Sequence, residues 1–175
     1  MLSWLLYGAN GYTGEIIARE ARKRGMSPIL AGRKREALEA LARELAFQYR
    51  VFALDDPAAV RAGVRGARLV LHCAGPFSAT SRPMLDACLA ERAHYLDITG
   101  EIDVFEYART LDAPARDAAI LVCPGVGFDV DVVELVAAAT QPAQGAGVSS
   151  HRADGGHLEG GQVTDSVLQA LNEAN

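Results

Sequence analysis

The sequence is short of cysteine, of lysine and of long apolar runs, and each shortage removes a class of protein. Its three cysteines, Cys73, Cys88 and Cys123, are an odd number with no C-x-x-C spacing. Reduced, packed thiols are therefore expected rather than a disulfide framework or a zinc site. No apolar run approaches the ~18 to 20 residues of a membrane helix. The first run, residues 2–7, is too short and too soon followed by glycine for a signal peptide. A soluble, cytoplasmic protein without a membrane span is the expectation. Neither a G-x-S-x-G elbow nor a Walker A loop is present, which leaves hydrolase and nucleoside-triphosphatase readings without support. His151, Asp154, His157 and Glu159 match no zinc spacing, so no metal is expected.

What is present is an ordinary globular composition: 175 residues, 50% hydrophobic, 22% charged. That length suits about one domain, and 31 alanines favour helices. The net charge of −5 argues against a nucleic-acid partner. Its distribution is uneven: residues 1–68 carry 12 basic and 7 acidic side chains, a balance of +5, and residues 69–175 carry 5 and 15, a balance of −10. The positive third is nearly all arginine, since only Lys23 and Lys34 are lysines, and a planar guanidinium suits bidentate phosphate contact. Arg19, Arg22, Lys23 and Arg24 read as a solvated helix face.

Short apolar runs alternate with helical patterns along the chain. Strands are expected over 2–7, 28–31, 49–54, 67–73, 94–98 and 119–123, and helices over 15–24, 33–46, 57–64, 82–92, 102–111, 114–118 and 128–139. The Asp55-Asp56-Pro57 stretch supplies an N-cap and a first-turn proline for the third helix. Such alternation specifies an α/β fold, a doubly wound, Rossmann-like parallel sheet of about six strands, because each parallel connection needs a crossover. Residues 141–147 read as a connector, and 148–175 as a short strand, a glycine-rich turn and a helix, too little for a core of their own.

The strongest local signal is Gly8-Ala9-Asn10-Gly11-Tyr12-Thr13-Gly14, between the first strand and the first helix. Glycines there permit a tight turn, close approach of a pyrophosphate and packing of the helix on the sheet, while helix amides face the anion. A site for NAD would carry an acid about 20 residues later for the ribose hydroxyls, but this chain has Ala31-Gly32-Arg33-Lys34-Arg35. Gly32 leaves room for a 2′-phosphate, Arg33 can grip it, and Lys34 or Arg35 adds charge. NADP(H) is therefore expected. After the fourth strand, Cys73-Ala74-Gly75-Pro76-Phe77 would let the ribose and nicotinamide lie across the sheet edge, with Ala74, Gly75 and Pro76 as contacts. Asp97 at the end of the fifth strand and Glu101 just beyond it are the candidate catalytic acids, although Glu101 and Asp129 could equally cap the helices that follow them. His72, within an apolar strand, reads as a satisfied core or edge histidine.

Taken together, Y-G-A-N-G-Y-T-G at 7–14, A-G-R at 31–33, C-A-G-P-F at 73–77, Y-L-D-I-T-G-E at 95–101 and P-G-V-G-F-D at 124–129 resemble the saccharopine dehydrogenase-like oxidoreductases. That group includes saccharopine reductases and trans-acting enoyl reductases. The resemblance implies an NADP(H)-binding domain over residues 1–140, with Gly8, Gly11 and Gly14 as its glycine loop, Arg33 at the 2′-phosphate, and residues 95–101 beside the nicotinamide and substrate. It also implies that residues 141–175 begin a second, substrate-binding and dimerising domain. Two functions follow as expectations. One is an oxidoreductase passing hydride to or from an imine, enoyl or related small-molecule acceptor; the other is a dinucleotide-binding module without catalysis of its own. A homodimer through the C-terminal segment is a further expectation.

Overall fold

The computed structural model describes residues 3–127. The expected helix over 128–139, the connector, the C-terminal strand and helix, Asp129 and the dimerising segment lie outside the described residues. Twelve elements are described: β1 (Trp4–Tyr7), α1 (Tyr12–Lys23), β2 (Ile29–Gly32), α2 (Arg35–Leu45), β3 (Tyr49–Val51), α3 (Pro57–Val64), β4 (Leu69–His72), α4 (Phe77–Glu91), β5 (His94–Asp97), α5 (Ile102–Thr110), α6 (Asp112–Ala118) and β6 (Val122–Cys123). The strands form one sheet in the order β3-β2-β1-β4-β5-β6, and every pairing is parallel. The chain winds outward from β1 in one direction to β3, then returns to the other side of β1 and proceeds to β6. The reversal between β1 and β4 leaves a crevice at the carboxyl edge, which is where ligands bind in such sheets.

Burial on both faces explains the uninterrupted apolar strands. Alternate residues of β1, β2, β4 and β5 supply two cores. Leu6, Leu30, Leu71 and Leu96 pack with Ile17, Ala18 and Ala21 of α1 and Leu38, Leu41 and Leu45 of α2. Leu5, Tyr7, Val70 and Tyr95 pack on the other face with Val60 and Val64 of α3 and Met84, Leu85 and Cys88 of α4. The outer faces of the first two helices are polar, as expected. Arg19 joins them by pairing with Glu15 of α1 and Glu44 of α2, and Lys23 and Arg24 pair with Glu20.

Three helices begin earlier than their sequence patterns suggest, α6 at Asp112 rather than at residue 114. Helix α1 starts at Tyr12, inside the glycine motif. Helix α4 starts at Phe77, not at residue 82, and contains Pro83 in its interior. Its first turn, F-S-A-T, has weak helix propensity, so tertiary partners decide the boundary. At α3 the local signal sufficed: the Asp56 carboxylate accepts from the amides of Ala58 at 2.9 Å and Ala59 at 3.3 Å.

Candidate functional site

The turn out of β1 is held by backbone alone. The amides of Gly8 and Ala9 both donate to the Ala31 carbonyl of β2, at 2.8 and 3.2 Å, and Gly11 donates to the Gly8 carbonyl at 2.9 Å. Gly8 has φ +85°, and a Cβ there would lie 2.9 Å from the Ala74 nitrogen. The glycine loop thus presses directly on the loop after β4. At Gly14, inside the first turn of α1, a Cβ would overlap the Gly8 carbonyl oxygen and lie 2.8 Å from Ala9 Cα. Helix α1 can therefore approach the turn this closely only without a side chain. Its N-cap, Gly11, provides no side-chain acceptor for the first-turn amides, which leaves the positive end of a 12-residue helix open to an anion. Tyr12 stands beside it, 87% exposed.

The end of β2 carries positive charge and no acid. Arg33 and Lys34 are exposed and form no ion pair among the described residues, whereas Arg35 is engaged with Glu39 at 3.5 Å. Arg33 is felt at Tyr7: burial raises the tyrosine hydroxyl to about 12, and the guanidinium offsets part of that rise. Gly32 faces the glycine loop, and a Cβ on it would lie 2.9 Å from Asn10 Oδ1 and 3.6 Å from Leu38 Cδ1. Asn10, Gly11, Tyr12, Thr13, Gly14, Arg33 and Lys34 therefore come to one stretch of the edge, and Gly8 joins them to Ala74, Gly75 and Pro76 across the crevice.

Beyond the crevice the polar groups are bound to one another. The side chains of Tyr7, His72 and Asp97 belong to one register row across β1, β4 and β5. Asp97 is fully buried. Its Oδ2 accepts from the Tyr95 hydroxyl at 2.6 Å, and its Oδ1 accepts from the amides of Thr99 at 2.9 Å and Gly125 at 2.8 Å. The Val126 amide donates to the Asp97 carbonyl at 2.8 Å, so this one residue ties the loop after β5 to the loop after β6. Desolvation raises its carboxyl pKa above 3.8, although the three hydrogen bonds oppose the rise.

Glu101 reaches back the other way. Its carboxylate accepts from the amides of Phe77 at 2.7 Å and Ser78 at 2.8 Å, and the Ser78 side chain together with those amides holds its pKa below the usual carboxylate range. Glu101 is thus a cap, but of α4, 24 positions upstream, and not of α5, the helix that follows it and receives no side-chain cap bond. No local pattern announces this pairing; it exists because β4 and β5 are neighbours whose following loops meet.

His72 is a core residue with one nitrogen satisfied. Thr80 Oγ1 donates to the carbonyl of Ala74 at 2.6 Å or Pro76 at 2.9 Å, so at 3.1 Å it accepts from His72 Nε2. Nδ1 has no partner. Aromatic rings of Tyr7, Phe77 and Tyr95 surround the imidazole, and desolvation lowers its pKa to about 3. The three cysteines are free thiols, and burial raises the pKa of each. Of the partners of Asp97 and His72, Tyr95, Thr99 and Gly125 lie within the motifs at 95–101 and 124–129, but nothing in the sequence marked them, or Thr80, as partners of those side chains.

A parallel sheet in this order, a glycine turn at its switch point and an open helix N-terminus beside an arginine that has no ion pair among the described residues define a dinucleotide-binding α/β domain. Residues 4–123 match the family model of the saccharopine dehydrogenase NADP-binding domain, and the chain belongs to that family. A human saccharopine dehydrogenase-like oxidoreductase is 25% identical over 145 residues, 71% of this chain and 34% of the relative. An Arabidopsis thaliana protein, named as a mitochondrial saccharopine dehydrogenase-like oxidoreductase, is 31% identical over 148 residues, 75% of this chain and 33% of its own length. A Mycobacterium tuberculosis protein named as a trans-acting enoyl reductase is 29% identical over 188 residues, 98% of this chain and 44% of its own. The chain thus spans about a third of the length of the first two relatives. Among solved structures, apo saccharopine dehydrogenase (L-Glu forming) from Saccharomyces cerevisiae superposes with TM-score 0.64 at 16% identity, covering 79% of this chain and 30% of the yeast one. That likeness establishes the fold. The chain contains an NADP-binding domain of the saccharopine dehydrogenase-like oxidoreductase type.

Proposed function

We propose that the carboxyl edge holds NADP(H) with the pyrophosphate at the N-terminus of α1, in the loop of Gly8, Asn10, Gly11, Tyr12, Thr13 and Gly14, and with the 2′-phosphate on Arg33 and Lys34. Ala74, Gly75 and Pro76 would line the path of the ribose and nicotinamide. The residues fit the group: Gly8, Gly11 and Gly14 let the turn and the start of α1 close up without side chains, and Arg33 and Lys34 are exposed cations with no ion pair among the described residues. The absence of a carboxylate at the end of β2 carries the reading, because an acid there would repel a 2′-phosphate and a guanidinium attracts it. The cofactor supplies hydride chemistry, and the domain supplies orientation and charge. Binding of NADPH and NADH to the chain, followed by the quenching of protein fluorescence, tests this directly. Arg33→Ala should weaken NADPH about tenfold or more and leave NADH little changed; an unchanged NADPH affinity would sink the reading.

The reaction of the whole protein is hydride transfer to or from an imine, enoyl or related acceptor, with residues 141–175 beginning a substrate-binding, dimerising domain. One observation favours the second reading, a module that binds the dinucleotide without catalysis of its own. Both candidate acids are spent within the domain, Asp97 on three donors and Glu101 on two backbone amides. Asp97 and Glu101 then act as positioning residues, and the proton donor comes from elsewhere. Incubation with NADPH and a panel of imines and enoyl thioesters separates the two readings: oxidation of NADPH favours the enzyme, and binding without oxidation favours the module. None of the described helices is long and apolar enough to cross a membrane. A cytoplasmic location is proposed on the sequence reading alone, and subcellular fractionation is its check.

A further inference from the structure

The Asn10 side chain and position 32 occupy one volume. Asn10 lies in the turn after β1, Gly32 ends the neighbouring strand β2, and a Cβ on Gly32 would come within 2.9 Å of Asn10 Oδ1. An acid at position 32 would therefore project into the space that the Asn10 carboxamide fills, and its charge would face an amide oxygen. The carboxamide has no hydrogen-bond partner among the described residues, so both its acceptor and its two donors remain free for a ligand. Arg33 is the next residue along. Where an NAD-type site places a carboxylate, an acceptor only, this chain places a group that donates as well as accepts.

We infer that Asn10 determines cofactor choice together with Arg33, its carboxamide donating to the 2′-phosphate of the adenosine half, and that positions 10 and 32 are coupled in that choice. The inference rests on the dinucleotide reading above and adds to it a residue that discriminates. Substituting Gly32 alone does not convert the site to NADH, because a new carboxylate and the existing carboxamide compete for one space.

The experiment is a set of titrations on the full chain with NADPH, NADH, 2′,5′-ADP and 5′-ADP, which need no substrate. Asn10→Asp keeps the shape of the side chain, removes its donors and adds a charge. It should lower the ratio of NADPH to NADH affinity by about tenfold or more and remove most of the preference for 2′,5′-ADP over 5′-ADP. Asn10→Ser, which cannot reach, should lower the 2′,5′-ADP preference to a smaller extent. Gly32→Asp should weaken both dinucleotides, and adding Asn10→Gly should restore NADH, giving a coupling of about tenfold between the two positions. Equal weakening of NADPH and NADH in Asn10→Asp, or strictly additive effects at 10 and 32, would overturn the inference while leaving the dinucleotide site in place. A wild-type chain that binds none of the four ligands would overturn both.

Discussion

The two sides of the crevice solve the edge of the sheet differently. On the β1 and β2 side, glycines bring backbone against backbone, the N-cap of α1 makes no side-chain cap bond, and Arg33 and Lys34 have no ion pair among the described residues. On the β4 to β6 side, carboxylates join the loops to one another: Glu101 to the start of α4, and Asp97 to the loops after β5 and β6. One side is left open for an anion, and the other is internally neutralised. Over the described residues the charge follows the same division, with a balance of +5 before residue 69 and, from 4 basic and 8 acidic side chains, −4 over residues 69–127. A helix N-terminus binds an anion only if the protein has not already supplied one, and by that rule the end of α1, not the end of α4, is the one proposed to take the pyrophosphate.

The largest effect expected on this contrast is at Gly14. Gly14→Ala forces a Cβ into the Gly8 carbonyl, and overpacking of backbone on backbone should cost about 3 kcal/mol or more and abolish dinucleotide binding. Gly100→Ala, with nothing within 4 Å, should lie within about 0.5 kcal/mol of wild type. Urea denaturation of both variants measures the difference, and equal midpoints would break the account of the glycine loop.

Next is the internally joined side. Asp97→Ala strands a buried tyrosine hydroxyl and two amides and should cost about 3 kcal/mol. Asp97→Asn keeps an oxygen for the two amides and an amide group for the Tyr95 oxygen, and should recover most of that loss.

A pH effect of similar size comes from His72. Its folded pKa of about 3 lies below the ordinary 6.5, so between those values the unfolded chain binds more protons than the folded one. The stability it contributes is complete above pH 6.5 and is lost as pH falls toward 3, at no more than roughly 1.4 kcal/mol per unit. Asp97, raised above 3.8, has the opposite sign: its contribution declines as pH rises through its folded pKa. His72→Gln should flatten the acid limb of the stability curve, and an unchanged limb would show that other groups govern it.

The smallest effect is at Glu101. Glu101→Ala removes an exposed cap from α4, and should lower the thermal midpoint slightly while leaving dinucleotide affinity within about twofold. A large loss of affinity would show that the cap positions the loop at Ala74 to Pro76. That result would make the two sides of the crevice one unit.

Much of this was legible in the residues themselves. The period of apolar runs, the glycine triplet after the first of them and the basic residues after the second pointed to the fold class and the cofactor, because each signal is carried within a βαβ unit of about 30 residues. The Asp56 cap was readable for the same reason: its donors lie two and three positions away. The start of α4 was not, since its cap comes from Glu101, and the roles of Asp97 and Glu101 were open until their donors were placed. A lone carboxylate in a sequence can be a proton donor, a cap or a clamp; which one it becomes depends on the donors that tertiary folding brings to it. Sequence alone therefore determined the sheet, its glycine-lined edge and the position of the arginine proposed for the 2′-phosphate. Only the tertiary structure decided that both acids are engaged and that Asn10 lies over Gly32, because those pairings join loops that chain order keeps apart and the parallel sheet sets side by side.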